Sequence, residues 1–112
     1  MTGRDKIILQ KIANYIAEIA EYIASHDICS FMKDKKTISA CAFNIGQVGE
    51  LANHVSDETR EKHSDIPWRS IRGMRNRIVH DYDNVDMAVL WGTITKSLPE
   101  LADKIYVILN ET

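Results

Sequence analysis

The spacing of apolar residues is the feature that most constrains the fold of this chain. Apolar side chains recur every three or four positions over most of its 112 residues, which places them on one face of a helix. No segment combines strict polar–apolar alternation with the turn residues of a hairpin. The pattern therefore predicts an all-α fold, an up-and-down bundle of four to five helices.

The first predicted helix covers residues 5–24, where isoleucines form a stripe that alanines flank. Residues 25–36 break the helical period, and Phe31 and Met32 are expected to anchor a short connecting turn. A second helix is predicted to begin at Thr37, whose hydroxyl suits the N-cap position. Its expected buried stripe consists of Ile38, Cys41, Ala42, Ile45, Val48, Ala52 and Val55.

Two glycines, Gly46 and Gly49, lie inside this second helix, where each is disfavoured by roughly 1 kcal/mol relative to alanine. Glycine at such positions indicates that a neighbouring helix or a ligand comes close. Polar residues 56–65 then lead to a third helix, predicted to run from about Pro67 to residue 79 or 80.

The last predicted helix begins near Asp86, a candidate N-cap, and Pro99 interrupts its period. Because the segment that starts at Ser97 has the spacing of a capping box, a kink or a new helix start is expected there. The apolar stripe continues beyond it through Leu101, Ile105, Ile108 and Leu109.

The net charge of −2 speaks against nucleic acid as a partner, but its distribution is uneven. Four arginines and no acid fall between residues 66 and 79, which leaves 10 basic and 16 acidic residues, a balance of −6, for the remainder. A positive patch on an acidic body can hold a phosphate and still resist indiscriminate nucleic-acid binding. A solvated arginine face is the alternative, and charge alone does not separate the two.

The cysteines and histidines predict neither a disulfide nor a metal site. Cys29 and Cys41 form no Cys-x-x-Cys pair, and the apolar neighbours of Cys41 favour a buried thiol in a reduced, cytoplasmic protein. His26, His54 and His63 have no metal-ligand spacing. The charged N-terminus is not followed by a long apolar stretch, so no signal peptide is expected. No run of 18 apolar residues occurs, so no membrane span is expected.

The third helix carries a cation where its apolar stripe should be. With Ile71 at zero and 100° per residue, Arg75 falls at about 40°, inside an apolar arc. The other members of that arc are Trp68, Met74, Ile78 and Val79. A guanidinium there needs an acid, with Glu50 the candidate for an ion pair, or an opening to a ligand. Arg72, Asn76 and His80 form a polar stripe beside it at four-residue spacing.

The run from Arg75 to Tyr82 reads Arg-x-x-x-x-His-x-Tyr. It resembles the signature of the HepT-like toxin branch of the HEPN (higher eukaryotes and prokaryotes nucleotide-binding) superfamily. Similarity in order and spacing covers residues 38–109. It includes Gly46, Glu50, Pro67-Trp68, Gly73-Met74-Arg75-Asn76, Val85-Asp86, Leu90-Trp91 and Leu98-Pro99.

The resemblance implies that residues 1–112 form a single HEPN-like helical domain that acts as a homodimer. It further implies a metal-independent endoribonuclease, the toxin of a toxin–antitoxin pair. A cognate MntA-type nucleotidyltransferase would silence it by transferring AMP from ATP onto the motif tyrosine, here Tyr82. The chain itself would need no cofactor, and its partners would be RNA, the antitoxin and a second copy, without a membrane.

Residue chemistry supports a cleavage mechanism because RNA carries its own nucleophile, the 2′-hydroxyl. His80 would act as general base or acid, since a histidine titrates near neutral pH. Arg75 would stabilise charge on the phosphoryl oxygens. Asn76 would orient the imidazole or bind phosphate, and Arg72 and Arg77 are candidates for backbone contacts.

Helix geometry adds a condition on this site. Positions 75 and 80 lie about 140° apart on a regular helix. They can meet only if the helix ends or loosens before His80, or if two chains each contribute one residue across a two-fold axis. Both routes favour a symmetric dimer. Two other readings stay open: a non-catalytic nucleotide- or substrate-binding partner of a nucleotidyltransferase, and a purely structural dimerisation bundle.

Overall fold

The computed structural model describes the backbone of residues 1–81 and 86–111, and the side chains of these residues except 75–81. Every regular element within these ranges is helical. In chain order they are α1 (Gly3–Tyr22), α2 (Ile28–Lys33), α3 (Lys35–Asn53), α4 (Asp57–Lys62), α5 (Trp68–Asp81), α6 (Met87–Gly92), a π-helical segment (Thr93–Ser97) and α7 (Leu98–Asn110). The prediction of an all-α fold is confirmed.

Helix α3 lies at the centre of the bundle, because it packs along both α1 and α5. Helix α7 packs on α1, and the short α2 packs against α3 and α6. Apolar residues from all the long helices form one buried cluster. Its fully enclosed large side chains are Leu9, Ile12, Ile19, Phe31, Ile45, Val48, Val55, Ile66, Leu98 and Ile105.

Contacts between distant residues define two ends of the bundle. At one, the α4 end, the Asp5 carboxylate of α1 accepts hydrogen bonds from Ser56 and Thr59 at the start of α4. At the other, the α2 end, the rings of Phe31 and Trp91 pack with centroids 5.1 Å apart. Helix α5 follows α4 and precedes α6 in the chain, so it runs from the α4 end to the α2 end, antiparallel to α3.

The segment 25–36 is more ordered than the sequence predicted. Asp27 and Ser30 form a reciprocal capping box that starts α2, so a short helix replaces the expected turn. Phe31 is fully buried, as predicted, but Met32 is 52% exposed and anchors nothing. The two adjacent side chains point about 100° apart on a helix, which lets only one of them reach the core.

Asp34, and not Thr37, caps α3. The Asp34 carboxylate accepts the Thr37 N–H at 3.1 Å and the Thr37 hydroxyl at 2.7 Å. Thr37 therefore lies inside the first turn, and the prediction of a threonine N-cap was wrong. The buried stripe predicted for this helix is confirmed, except that Ala42 is only half-buried and Val55, although buried, lies beyond the end of α3. Gly46 and Gly49 are both buried, in agreement with close helix approach.

Residues 56–65, predicted only as a polar connection, contain helix α4. Its N-cap is Ser56, whose hydroxyl accepts the Thr59 N–H at 3.3 Å, and Thr59 is buried. Six residues with one buried side chain show no apolar period, so periodicity could not reveal this helix.

The C-terminal helix is interrupted where the sequence predicted, because a new helix, α7, starts at Leu98. Asp86 caps α6 as expected and accepts the Ala88 N–H at 2.8 Å. Ser97, in contrast, has helical dihedrals and makes no side-chain cap, so the expected capping box is wrong. The chain continues through a π-helical segment in which Leu98 N–H donates to the Thr93 carbonyl. The wider turn makes room for Pro99, whose ring would clash with the preceding turn of an α-helix.

Candidate functional site: the basic face of helix α5

Helix α5 is held in place by apolar residues in its first two turns. Trp68 and Ile71 are buried, 7% and 3% exposed, and Met74 is half-buried. The Trp68 indole N–H donates to the His63 carbonyl at 3.1 Å, and the Ile71 N–H donates to the carbonyl of Pro67 at 3.1 Å. Pro67 therefore precedes the helix by one residue, close to its predicted place in the first turn.

The opposite side of these turns is basic and open. Arg69 is exposed and Arg72 is half-buried, and neither forms an ion pair with a residue that the structure describes. Gly73 is exposed, and among the described residues a Cβ added to it would meet no side chain or neighbouring helix within 4 Å. The surface beside Gly73 is therefore open to a ligand.

Helix register carries the open face toward the C-terminal half of α5. Counted from Ile71, Arg69 and Gly73 lie at about 160° and 200°, and the positions of Asn76 and His80 lie at about 140° and 180°. Positions 76 and 80 therefore fall on the arc of the exposed residues. Because the side chains of residues 75–81 lie outside the described part of the chain, their contacts stay predictions.

Arg75 has a different register. Its position, at about 40°, lies between those of Trp68 and Ile71, at about 60° and 0°. Both neighbours in this register are buried, so the apolar arc on which the sequence prediction rests is confirmed for the part of α5 whose side chains are described. The ion pair predicted between Arg75 and Glu50 is not tested by the described side chains.

Helix α5 remains α-helical up to Asp81, one residue beyond His80. Of the two routes by which positions 75 and 80 could meet, an early end of the helix is therefore not the one that the backbone takes. Pairing between two chains is the route compatible with a regular helix. Tyr82, the predicted AMP acceptor, lies outside the described residues, and the backbone of Arg77 lies within α5.

Glu50, the predicted structural partner, lies half-buried on α3. Its Oε1 is 3.4 Å from Nε2 of His54, one helical turn further along. This contact becomes an ion pair when the imidazole is protonated. Glu50 is part of α3, the helix that packs directly on α5.

Asn44 is a buried polar residue that the sequence prediction missed. It is 2% exposed, and its amide donates to the Tyr15 carbonyl at 3.2 Å and to Oε1 of Glu18 at 2.9 Å. These bonds tie α3 to α1 beside a shallow groove lined by Lys11, Asn14, Tyr15 and Glu18. The available signal was an amide on the apolar stripe of α3, the same kind of signal that singled out Arg75.

Other groups that could carry chemistry are unsuited to it. Burial raises the pKa of the Cys41 thiol to about 11, so Cys41 is a neutral core residue at physiological pH, as predicted. Within the described part of the chain, no three His, Cys, Asp or Glu side chains are grouped so that they could hold a metal ion. None of the described helices has the length and apolarity required to span a bilayer.

Comparison with known proteins gives consistent matches over nearly the whole chain. Residues 12–108 match the family model described as "Ribonuclease HepT-like". A protein named "Putative RNase" from Caldanaerobacter subterraneus subsp. tengcongensis is 35% identical over 104 residues, which cover 93% of this chain and 89% of the relative. A "Probable ribonuclease HepT" from Thermococcus cleftensis is 35% identical over 106 residues, 93% of this chain and 94% of the relative. No solved structure gives a significant match.

Proposed function

Because the chain belongs to the ribonuclease HepT-like family of the HEPN superfamily, we propose that it is a metal-independent endoribonuclease, the toxin of a toxin–antitoxin pair. The relatives named as ribonucleases match it along nearly their full length. The observation that carries the proposal is the open basic face of α5. Arg69 and Arg72 have no described ion-pair partner there, and position 80 falls on the same face.

In the proposed reaction, the 2′-hydroxyl of RNA attacks the adjacent phosphorus and the bond to the 5′-oxygen breaks. His80 accepts the proton of the hydroxyl as general base or supplies one to the leaving oxygen as general acid. Arg75 stabilises the charge that develops on the phosphoryl oxygens. Asn76 orients the imidazole or binds phosphate, and Arg72 and Arg77 hold the backbone of the substrate. The chain uses no cofactor.

The active form in this proposal is a homodimer. An α5 that stays helical through His80 supports a site in which one protomer supplies Arg75 and the other supplies His80. The small size of the chain supports the same conclusion, because a domain of this length buries only a little over 60% of its unfolded surface and gains stability from association.

The proposed regulator is an MntA-type nucleotidyltransferase that transfers AMP from ATP onto Tyr82. The tyrosine oxygen attacks the α-phosphorus of ATP, pyrophosphate leaves, and the phenolic proton is released. The bound nucleotide adds negative charge and bulk two residues beyond His80, which excludes RNA by repulsion and occupancy.

An RNA cleavage assay tests the proposed activity. His80→Ala should abolish cleavage by the purified protein in the presence of EDTA, because the proton-transfer group is lost. His63→Ala is the matched control, since His63 lies at the end of α4 and its imidazole has no hydrogen bond or ion pair with a described residue, so it should leave cleavage unchanged. Cleavage by neither wild type nor variants on varied RNAs would favour a non-catalytic nucleotide- or substrate-binding partner of the nucleotidyltransferase.

A further inference from the structure

We infer that Lys33, Lys35 and Lys36, here called the lysine cluster, form a second RNA-contacting surface that binds backbone phosphates flanking the cleaved bond. This inference rests on the proposed function, because it assumes an RNA substrate longer than the two nucleotides that react. The cluster lies at the α2 end of the bundle, where α2 ends and α3 begins. It is separate in sequence from the arginines of α5.

The three lysines are exposed. Within the part of the chain that the structure describes, their ammonium groups form no hydrogen bond and no ion pair, neither with Asp34 between them nor with the exposed acids Glu18 and Glu21 of α1. Three ammonium groups within four residues attract anions. A lysine ammonium contacts phosphate as a point charge and reads no sequence.

Asp34, which lies within the cluster, and Asp27, at the start of α2, use their carboxylates to cap helices. The Asp34 carboxylate binds the Thr37 N–H and hydroxyl and lies 3.3 Å from Nε2 of His26. The hydrogen bonds from Thr37 hold the pKa of the Asp34 carboxyl below its ordinary value. Asp27 accepts the Ser30 N–H at 2.8 Å. Because both carboxylates cap helices, their oxygens are turned toward backbone N–H groups rather than toward the lysines.

The cluster lies at the end of the bundle to which the proposed site also belongs. The Phe31–Trp91 contact holds α2 against α6, and α6 starts six residues after α5 ends. Helix α5 therefore brings His80, in its last turn, to the α2 end. An RNA strand that follows the open face of α5 toward position 80 therefore runs toward the end of the bundle that carries the lysine cluster. The location favours RNA as the occupant over an unrelated acidic partner.

The test measures the salt dependence of RNA binding by the full-length wild-type protein. The probe is a fluorescein-labelled single-stranded RNA with 2′-O-methyl groups, which lacks the nucleophile and so is not cleaved. The Lys33→Gln/Lys35→Gln/Lys36→Gln variant should weaken binding roughly tenfold at low salt and lower the slope of log K against log [salt] by about 2, since each phosphate contact on a single strand contributes about 0.7.

The matched control changes the same net charge at a distance from the α2 end. Lys6→Gln/Lys11→Gln/Lys62→Gln alters three exposed lysines of α1 and α4 and should keep the wild-type slope. Circular dichroism melting of both variants checks that each is folded.

The outcomes separate this inference from the proposed function. If the cluster variant binds RNA as tightly as the wild type does, or if both variants lose the same amount of affinity, the inference is overturned. The ribonuclease proposal then still stands. Absence of RNA binding and cleavage by the wild type overturns both. Unchanged RNA binding with lost silencing by the nucleotidyltransferase would assign the lysines to a protein partner and overturn the RNA surface.

Discussion

At the scale of single residues, the carboxylate of Asp5 is a buried charge that accepts several hydrogen bonds. It is 1% exposed and accepts the Ser56 N–H at 3.1 Å and the hydroxyls of Ser56 and Thr59 at 2.6 Å each. Burial raises the pKa of this carboxyl, but these hydrogen bonds together outweigh burial, so the pKa lies below its ordinary value. Asp5 therefore fastens the start of α1 to the start of α4.

Asp5→Asn should lower the free energy of unfolding at neutral pH by about 2–3 kcal/mol, because it removes charge-assisted hydrogen bonds from a buried site. A lowered folded-state pKa stabilises the protein above the unfolded-state value, about 3.9, and this stabilisation is lost as pH falls through the folded-state pKa. Urea unfolding at neutral pH and near pH 3 should show the gap to wild type narrowing in acid. Asp57→Asn, at an exposed residue of α4, is the control, and equal stabilities of wild type and Asp5→Asn at neutral pH would contradict the prediction.

The proposed modification also belongs to a single residue. Tyr82→Phe should keep ribonuclease activity and escape silencing, because it removes only the phenolic oxygen that accepts AMP. The measurement is the intact mass of wild type and variant after incubation with the nucleotidyltransferase and ATP. Tyr106→Phe, at an exposed tyrosine of α7, is a matched control that should still be modified. AMP additions that persist on Tyr82→Phe would place the acceptor elsewhere.

At the scale of elements, α5 combines one anchored face with one open face. Trp68 and Ile71 are buried, whereas Arg69 and Gly73 are exposed. A glycine in the exposed interior of a helix costs stability, since it loses more backbone entropy on folding than any other residue. Gly73 therefore lowers the stability of α5 on the face that the proposed function assigns to RNA.

Gly73→Ala should raise the free energy of unfolding by roughly 0.5–1 kcal/mol, because the new methyl group meets no atom and alanine favours the helix. Urea unfolding measures the change. Gly46→Ala is the opposite control: Gly46 is buried in α3, so a methyl group there should be destabilising. A loss of stability in Gly73→Ala would show that the position is enclosed.

At the scale of the whole molecule, the two ends of the bundle carry different groups of residues. The α4 end holds the Asp5 hydrogen bonds, and the α2 end holds the lysine cluster and the last turn of α5. The chain outside residues 66–79 carries a net charge of −6, from 10 basic and 16 acidic residues. In the proposed function, this acidic balance would repel RNA from surfaces other than α5 and the lysine cluster.

A site shared between two protomers, as proposed, predicts complementation between two inactive variants. A heterodimer of Arg75→Ala and His80→Ala chains has one intact site if each site combines residues of two protomers, and none if each site lies within one protomer. Mixing and exchanging the two variants should therefore restore about a quarter of wild-type cleavage, since about half of the dimers are mixed and each has one working site of two. Each variant alone is the control. No recovery, with exchange verified by mass, would contradict a shared site.

The sequence alone determined the helical class, the order of the long helices and the residues that bury themselves, because these follow from the period of apolar side chains along the chain. It also singled out α5, since an arginine on an apolar stripe is visible without coordinates. The family motif was not needed for that step.

Tertiary structure decided what depends on contacts between distant residues. The pairing of Asp5 with Ser56 and Thr59 spans more than fifty positions, and α4 has too few buried residues to show a period. The energy of the Asp5 contacts comes from groups brought together by folding, so local pattern carried no record of them. The Asp34 cap of α3 is a local contact with Thr37, and the sequence prediction missed it because two residues of that segment can serve as a cap.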